Sequence, residues 1–252
     1  MADHGIRDIR NIALVGHAGA GKTTLVESLL FHGGSVPVPG SVEKGTAVTD
    51  FDPIERRYHH SVNTAVVSLD FKGRHINLID TPGYPDFLGP TISALSAVET
   101  AVVVINAGGG IEVLTRQLMQ IARDVHDCRM IVINKIDVDG VDLAALVAEI
   151  QQAFGAECLP INLPAEGGRK VVDCFFNDHG TSDFSSVEAL HTALVDQVVE
   201  VDEELMALYL EQGEIKAEQL HDPFETALRD GHIVPICFTA AREGVGAVSY
   251  TH

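Results

Sequence analysis

Nine residues, from Gly16 to Thr24, have the types and spacing of a loop that binds phosphate. The pattern G-x-x-x-x-G-K-T lies between an apolar run that is predicted to be a strand and one that is predicted to be a helix, which is the context this pattern needs. Glycines let the backbone curl so that N–H groups converge on an anion, and the helix N-terminus adds a favourable dipole. Lys22 is predicted to supply positive charge to the β- and γ-phosphates during catalysis, and Thr23 a hydroxyl to Mg²⁺. The predicted contacts are His17, Ala18, Gly19, Ala20, Gly21, Lys22, Thr23 and Thr24.

A second motif, Asp80-Thr81-Pro82-Gly83, follows another apolar run. The Asp80 carboxylate is predicted to bind Mg²⁺, directly or through a water. The N–H of Gly83 can approach a γ-phosphate because no side chain obstructs it. Loss of that contact on hydrolysis would release the following segment, as in an order–disorder switch.

The quartet Asn-Lys-Ile-Asp at residues 134–137 indicates which base is bound. Guanine presents two adjacent donors, and the Asp137 carboxylate has two acceptor oxygens that match them. The Lys135 stem can cover the base, Asn134 can brace neighbouring loops, and Thr239-Ala240 is placed to offer a backbone N–H to guanine O6. The predicted base contacts are Asn134, Lys135, Asp137, Thr239, Ala240 and Ala241.

Each motif also has a simpler interpretation, namely a glycine-rich turn, an ordinary turn or a polar loop that binds nothing. A P-loop kinase or ATPase is the alternative enzyme class. Asp137 argues against it, because adenine has an acceptor at N1 that would leave the carboxylate unpaired. Equal affinity for ATP and GTP would favour that class.

Strands and helices alternate along the chain, which predicts an α/β fold of the P-loop NTPase kind. The expected architecture is a mostly parallel sheet with helices on both faces and with the motifs at the carboxyl ends of the strands. Residues 33–57 have no period and are predicted to be a mobile loop. The predicted strands are 9–16, 67–71, 76–79, 101–105, 130–133 and 233–238, and the predicted helices are 22–32, 114–125 and 143–154.

The later part of the chain is predicted to be a small α+β insertion, strand-rich over 158–178 and helical over 185–230. Residues 181–230 hold 13 Asp and Glu against two basic residues, and the formal net charge of the chain is −19. So acidic a surface argues against direct binding to nucleic acid and would suit a basic protein partner. A solvated helical face is the simpler explanation.

Composition points to the cytoplasm. None of the apolar runs in the 252 residues approaches the roughly 20 that a membrane span needs, and the N-terminus lacks the apolar stretch of a signal peptide. The four cysteines are far apart and form no C-x-x-C pair, so neither a disulfide framework nor a zinc site is expected.

Together the motifs resemble those of the translational GTPases, and within them the GTPase domain of elongation factor G, from about residue 9 to 246. The resemblance implies GTP, GDP and Mg²⁺ binding, and GTP hydrolysis that is slow without the ribosome. It also implies a cytoplasmic, monomeric role in tRNA–mRNA translocation, an insertion of the elongation factor G type and contact of that insertion with the ribosomal stalk. The similar segments are Gly16-His17, Asp80 to Gly83 with Asp86-Phe87, Asn134 to Asp137, Gly155 to Pro164, Asp202 to Glu211 and Pro235 to Ala240.

The catalytic position departs from this family. Tyr84 stands where the family usually has the His that positions the attacking water, and a phenol is a poor base at neutral pH. His60 could reach that water and partly replace the missing imidazole, or it is an exposed loop histidine. Ala18 and His60 also replace a pair that is usually aliphatic. The predicted catalytic residues are Lys22, Gly83, Tyr84 and His60.

The metal site is predicted to keep its hydroxyls, because the switch threonine of the family maps to Ser61. The predicted Mg²⁺ ligands are therefore Thr23, Ser61 and Asp80. Gly19 replaces an acidic residue, so a monovalent cation is not expected there. Pro53 and Pro90 are expected to interrupt both switch segments.

The chain is divided here into a GTPase core at 1–155, the insertion at 156–230 and the last core strand with the guanine loop at 231–252. It is expected to be an excised GTPase domain that lacks the C-terminal parts of the family. Two functions remain open, a ribosome-dependent GTPase of translocation, and a GTP-gated ribosome-binding module with weak hydrolysis in recycling, rescue or ribosome protection.

Overall fold

The computed structural model describes residues 5–126, 128–212, 215 and 217–247. Two sets of residues named in the sequence analysis lie outside this description. They are 248–252, where the expected truncation falls, and 213, 214 and 216 of the predicted helical stretch. The strands are β1 Ile9–Val15, β2 Ala65–Phe71, β3 Arg74–Asp80, β4 Thr100–Asn106, β5 Arg129–Asn134, β6 Cys158–Pro160, β7 Asn162–Ala165, β8 Lys170–Asp173 and β9 Val234–Thr239. The helices are α1 Lys22–His32, α2 Pro53–Tyr58, α3 Leu88–Leu95, α4 Val113–Val125, α5 Leu143–Phe154, α6 Val187–Val199, α7 Glu203–Gln212 and α8 Ala217–Arg229.

Seven strands form one sheet in the order β2-β3-β1-β4-β5-β9-β6. Only β2 and β3 pair antiparallel in this sheet, and the other neighbours are parallel. The carboxyl ends of β1, β3, β5 and β9 therefore lie along one edge of the sheet. The α/β fold with a mostly parallel sheet, predicted from the alternation of apolar runs, is confirmed.

Helices cover both faces of the sheet because successive side chains of a strand point to opposite sides. Val103 of β4 lies in one apolar cluster with Leu118 of α4. Its neighbour Val102 lies in the other cluster with Leu25 of α1. Helices α3, α4 and α5 thus pack on one face and α1 on the other, which agrees with the predicted layers.

Residues 33–64 join α1 to β2, and we call them the switch segment. The sequence predicted a mobile loop here, but α2 forms in its second half. The Asp52 side chain accepts the N–H of Ile54 at 2.8 Å, and Glu55 accepts the N–H of Asp52 at 3.0 Å, so a capping box starts the helix. Pro53 occupies the first helical position, where no N–H is needed.

Pro90 likewise lies in the first turn of α3, where backbone N–H groups have no partner within the helix. The expectation that Pro53 and Pro90 interrupt the two switch segments is therefore wrong. Both prolines are accommodated at helix starts.

The strand-rich part of the insertion also differs from expectation. β6 is not part of a separate layer but pairs parallel with β9 as the last strand of the main sheet. Beyond it, the Asn162 side chain bonds the backbone of Phe238 on β9, accepting its N–H at 2.7 Å. This amide ends the pairing with the main sheet, and β7 then pairs with β8 as a separate two-stranded sheet.

A third apolar cluster joins α6, α7 and α8 to Phe175 and Ile233. The neighbouring residue Val234 belongs to the cluster under the main sheet. None of the helices in the described ranges is both long enough and apolar enough to span a bilayer.

Candidate functional site

A cavity of about 520 Å³ opens at the carboxyl edge of the sheet. Ligand pockets commonly measure roughly 300–1,000 Å³, so a nucleotide fits this volume. Most predicted site residues line it: Ala18, Gly19, Gly21, Lys22, Thr23, Thr24, His60, Ser61, Gly83, Tyr84, Asn134, Lys135, Asp137 and Ala241. The predicted residues that do not line it are His17, Ala20, Asp80, Thr239 and Ala240.

The phosphate loop wraps around the end of the Lys22 side chain. The buried ammonium donates to the carbonyl oxygens of Gly16 at 2.8 Å and His17 at 3.0 Å. Burial lowers the pKa of Lys22 to about 8, although the Asp80 carboxylate raises it. A phosphate group beside this ammonium would stabilise its charged form.

Several close approaches at this loop require glycine, and Gly21 and Gly83 bear most directly on the site. Gly21 has a φ of +94°, and a Cβ there would collide with the amide nitrogen of Asn134. A Cβ on Gly83 would lie 2.5 Å from Nζ of Lys22 and 2.7 Å from the backbone nitrogen of Ala18. The segment after β3 therefore touches the phosphate loop only because residue 83 has no side chain.

The side chain of His17 points away from the cavity. It is buried, with Nδ1 3.3 Å from the Thr115 hydroxyl and Nε2 3.2 Å from the Glu112 carboxylate. Burial lowers the pKa of His17, and Glu112 opposes that shift. His17 thus braces the phosphate loop against α4, so any nucleotide contact it makes must come from its backbone.

The three predicted metal ligands meet at one place. Thr23 donates its hydroxyl to Asp80 Oδ2 at 2.7 Å, and the Ser61 hydroxyl lies 3.4 Å from that of Thr23. Asp80 is 1% exposed, and burial raises its pKa. Its Oδ1 is buried without a hydrogen-bond partner.

Sequence reasoning missed Thr49 and Asp50, which the switch segment brings to the same place. Thr49 donates to Asp80 Oδ2 at 3.0 Å, and Asp50 Oδ1 accepts the Ser61 hydroxyl at 3.3 Å. Asp50 is 1% exposed, and its Oδ2 is buried without a partner. Burial, with Asp80 and Glu55 adding to it, raises the pKa of Asp50 to about 6.

These oxygens fit a hard divalent cation. Within the described part of the chain, no three His, Cys, Asp or Glu side chains form a group that would hold a metal ion unaided. A Mg²⁺ ion would instead be held by the hydroxyls of Thr23 and Ser61 together with phosphate oxygens, because Mg²⁺ is commonly bound by few protein oxygens plus substrate phosphates. The unpartnered oxygens of Asp50 and Asp80 are acceptors for waters of such an ion.

The base end of the cavity is organised by Asn134, which is 1% exposed. Its Nδ2 donates to the Ala20 carbonyl at 3.0 Å, and its Oδ1 accepts the Thr239 hydroxyl and the Ala241 N–H, both at 3.1 Å. Lys135 reaches across to the Gly19 carbonyl at 2.8 Å. One amide thus ties the ends of β5 and β9 to the phosphate loop.

The sequence predicted that Thr239-Ala240 would offer a backbone N–H to guanine, and the structure differs from this prediction. Ala240 donates its N–H to Val245 at 3.0 Å, and Ala241 donates to Asn134. Thr239 is directed to Asn134 as well. Because the loop folds back on itself, Thr239-Ala240 does not offer a free N–H to the cavity, and the residues of this loop that line the cavity are Ala241 and Arg242.

Tyr84 and His60 are brought together at the phosphate end. Their ring centroids are 4.8 Å apart, and Tyr84 is 42% exposed. His60 Nδ1 lies 3.0 Å from the Tyr58 carbonyl. A carbonyl only accepts, so Nδ1 carries a proton in this contact.

The family described as Elongation factor Tu GTP binding domain matches residues 7–250. The chain is 36% identical over 253 residues to an elongation factor G-like protein of Mycobacterium tuberculosis, covering 95% of this chain and 35% of that protein. It is 32% identical over 238 residues to tetracycline resistance protein TetW of Butyrivibrio fibrisolvens, covering 94% and 35%. The chain thus spans about a third of the length of these curated relatives.

A solved structure agrees with the fold. A crystal structure of a Thermus thermophilus protein superposes with a TM-score of 0.86 at 34% identity, covering 96% of this chain and 39% of that one. The phosphate loop, the Asp80 motif and the base quartet meet at one cavity, and the family match extends over nearly the whole chain. The chain therefore belongs to the elongation factor Tu GTP-binding domain family and is the GTPase domain of a translational GTPase.

Proposed function

We propose that this chain binds GTP and GDP with Mg²⁺ and hydrolyses GTP as part of a longer, elongation factor G-like factor that acts on the ribosome. The single observation that carries the proposal is that Lys22, Thr23, Ser61 and three members of the base quartet, Asn134, Lys135 and Asp137, all line one cavity. Lys22 and the two hydroxyl residues suit the phosphates and their Mg²⁺, and the quartet suits a guanine base.

In the reaction a water attacks the γ-phosphorus, the bond to the GDP oxygen breaks, and inorganic phosphate leaves. The positive charge of Lys22 stabilises the phosphoryl oxygens, and the N–H of Gly83 is proposed to contact the γ-phosphate. Mg²⁺, when bound, supplies further charge neutralisation at the β- and γ-phosphates. Thr23 and Ser61 are proposed to hold it, with Asp80 behind them.

Tyr84 and His60 are proposed to orient the attacking water. The His60 ring lies beside the Tyr84 ring, so an imidazole is present at this place even though residue 84 is not histidine. The Tyr84 hydroxyl can donate or accept one hydrogen bond. If His60→Ala leaves stimulated hydrolysis unchanged while Tyr84→Ala abolishes it, the role of His60 is wrong.

Translocation of tRNA and mRNA is the ribosomal step we propose, in line with the elongation factor G-like relative. The 32% identity to tetracycline resistance protein TetW supports a second candidate, a GTP-gated ribosome-binding module for recycling, rescue or ribosome protection. GTP hydrolysis by the full-length parent with and without ribosomes separates them. Strong stimulation favours translocation or recycling driven by hydrolysis, and tight GTP binding without stimulation favours the binding module.

Other features follow from the same proposal. The factor would act in the cytoplasm as a monomer, and the division into a core at 1–155, an insertion at 156–230 and a closing strand at 231–252 remains our proposal. The acidic helices at 181–230 are proposed to contact a basic protein of the ribosomal stalk. Reversal of several acids at 200–204 should then slow ribosome-stimulated turnover in low salt.

The specificity for guanine is tested with Asp137→Asn. Asparagine replaces one acceptor by a donor, which mismatches the amino group of guanine and matches the 2-oxo group of xanthine. We expect GDP affinity to fall at least about 100-fold and affinity for xanthosine diphosphate to rise, measured with fluorescent nucleotides. Asp139→Asn, at an exposed position outside the cavity, is the matched control. An equal loss of ATP and GTP binding in Asp137→Asn would contradict guanine recognition.

A further inference from the structure

Glu55 is a buried carboxylate in the middle of the switch segment. It is 0% exposed, although it lies on the short helix α2. Its Oε2 accepts the N–H of Asp52 at 3.0 Å, and its Oε1 accepts the N–H groups of Val62 and Asn63, both at 3.0 Å. One side chain thus joins the start of α2 to the backbone that follows it.

The loop closed by these bonds carries two residues of the candidate site. Ser61, whose hydroxyl lies 3.4 Å from that of Thr23, immediately precedes Val62. His60, beside the Tyr84 ring, precedes Ser61. A shift of the backbone at 62 and 63 would therefore move both side chains.

Glu27 holds the other half of the switch segment in the same way. It lies on α1 and is 1% exposed. Its Oε2 accepts the N–H of Gly40 at 2.7 Å, and its Oε1 accepts that of Val48 at 2.5 Å. Hydrogen bonds from backbone N–H groups to an ionised carboxylate are stronger than those between neutral groups.

We propose that Glu55 is a positioning residue for GTP hydrolysis, which sets where Ser61 and His60 lie by holding the N–H groups of Val62 and Asn63. This inference rests on the proposed GTPase function. Glu27 fixes the first half of the switch segment to α1, so its effect on the site is less direct. All of these hydrogen bonds are made within the chain, so the switch segment is held in place by the protein's own carboxylates.

The test is the substitution Glu55→Gln in this chain. Glutamine keeps the length and one carbonyl oxygen but places an NH₂ donor against a backbone N–H. We expect single-turnover GTP hydrolysis to slow about tenfold, since small misplacements near reacting atoms have effects of this size or larger. GDP affinity should change less than about twofold, and half-maximal hydrolysis should need more Mg²⁺, because Ser61 is displaced. Glu188→Gln, in the exposed first turn of α6, is the matched control.

A double-mutant cycle separates positioning from general destabilisation. If Glu55 acts through Ser61, Glu55→Gln in the background of Ser61→Ala slows hydrolysis less than it does in the unaltered chain. Fully additive effects would overturn the inference. So would an unchanged hydrolysis rate in Glu55→Gln, or a fall in GDP affinity as large as the fall in rate.

A measurement on the unaltered chain covers the case in which Glu55→Gln does not fold. Amide hydrogen exchange at Val62 and Asn63 should be slow, because both N–H groups bond a buried carboxylate. Exchange as fast as that of exposed loop amides would overturn the inference. Failure of the unaltered chain to bind GDP at all would instead refute the proposed function.

Discussion

On the base side of the cavity one neutral amide, Asn134, joins the ends of two central strands to the phosphate loop. On the switch side two carboxylates, Glu27 and Glu55, hold backbone N–H groups of a long connection between α1 and β2. Both arrangements are buried. The base side, however, is attached to strands that pair over their whole length, whereas the switch side is attached through side chains.

The difference shows that the two sides of one cavity are held in place by different means. Strand ends lie where the sheet places them, so the base side has little freedom. The switch segment depends on hydrogen bonds to two charged side chains, and it also brings Asp50 close to Asp80, where two carboxylates repel each other. Segments with few apolar contacts belong to the least stable parts of proteins.

Asn134→Ala should have the largest effect on stability. The change leaves the Ala241 N–H and the Ala20 carbonyl without their partner in a buried place. We expect the free energy of unfolding to fall by about 3–4 kcal/mol, because each unsatisfied buried group costs about 1–3 kcal/mol. Urea unfolding measures it. Asn177→Ala, at an exposed site, is the control and should cost less than about 1 kcal/mol.

Glu27→Gln should lower the free energy of unfolding by less, about 2 kcal/mol. Glutamine keeps one acceptor oxygen, which can still accept the N–H of Gly40 or of Val48. Hydrogen exchange at these two amides should become faster, while the amides of β5 stay protected. A loss of stability larger than that of Asn134→Ala would show that the switch side is the more firmly built one.

Asp50→Asn should have the opposite sign and stabilise the nucleotide-free chain by about 1–2 kcal/mol at pH 7. The pKa of Asp50 is raised from 3.8 to about 6 in the folded protein. Protonated Asp50 therefore makes its full contribution to the free energy of unfolding below pH 3.8. That contribution is lost as the pH rises through about 6 and the carboxyl ionises.

Urea unfolding at a series of pH values checks this. The gain from Asp50→Asn should be largest above pH 6 and shrink as the pH falls toward 4. A variant that is less stable than the unaltered chain at pH 7 would show that Asp50 contributes to stability in its charged form.

The smallest effect is expected at the ion pair between Glu43 of the switch segment and Arg242 next to the guanine loop. Among the ion pairs of the described residues, this one joins the two sides of the cavity. The side chain of Glu43 is 64% exposed and that of Arg242 is 68% exposed. Water and salt screen such pairs, so Arg242→Ala should change the free energy of unfolding by less than about 1 kcal/mol. An effect above about 2 kcal/mol would mean that the two sides are coupled far more strongly than their separate construction indicates.

The quartet of the base side could be predicted from the sequence because its signal is local, whereas the loop at 239–241, whose N–H groups bond Val245 and Asn134, could not. Apolar runs locate the ends of β1, β3 and β5, and the motifs follow them directly, so Lys22, Asp80 and Asn134 were placed by position alone. The parallel sheet follows from the alternation of strands and helices. The pairing of β6 with β9 was missed because a three-residue strand has too short a pattern.

The switch side could be predicted only in part. The capping box of Asp52 and Glu55 with Pro53 between them is a sequence signal for α2, although the segment around it has no helical period. Thr49 and Asp50 carry no such signal, because their contacts to Asp80 and Ser61 exist only after the segment has folded onto the phosphate loop. Buried carboxylates such as Glu27 look like any exposed helix residue in a sequence.

The boundary between the apolar clusters falls between Ile233 and Val234, and this has a structural consequence. Helix α8 is followed within a few residues by β9, and β9 ends at the loop that contains Ala241. With so short a connection there is little slack between them. The helical cluster α6–α8 and the guanine end of the cavity thus lie at the two ends of the single strand β9.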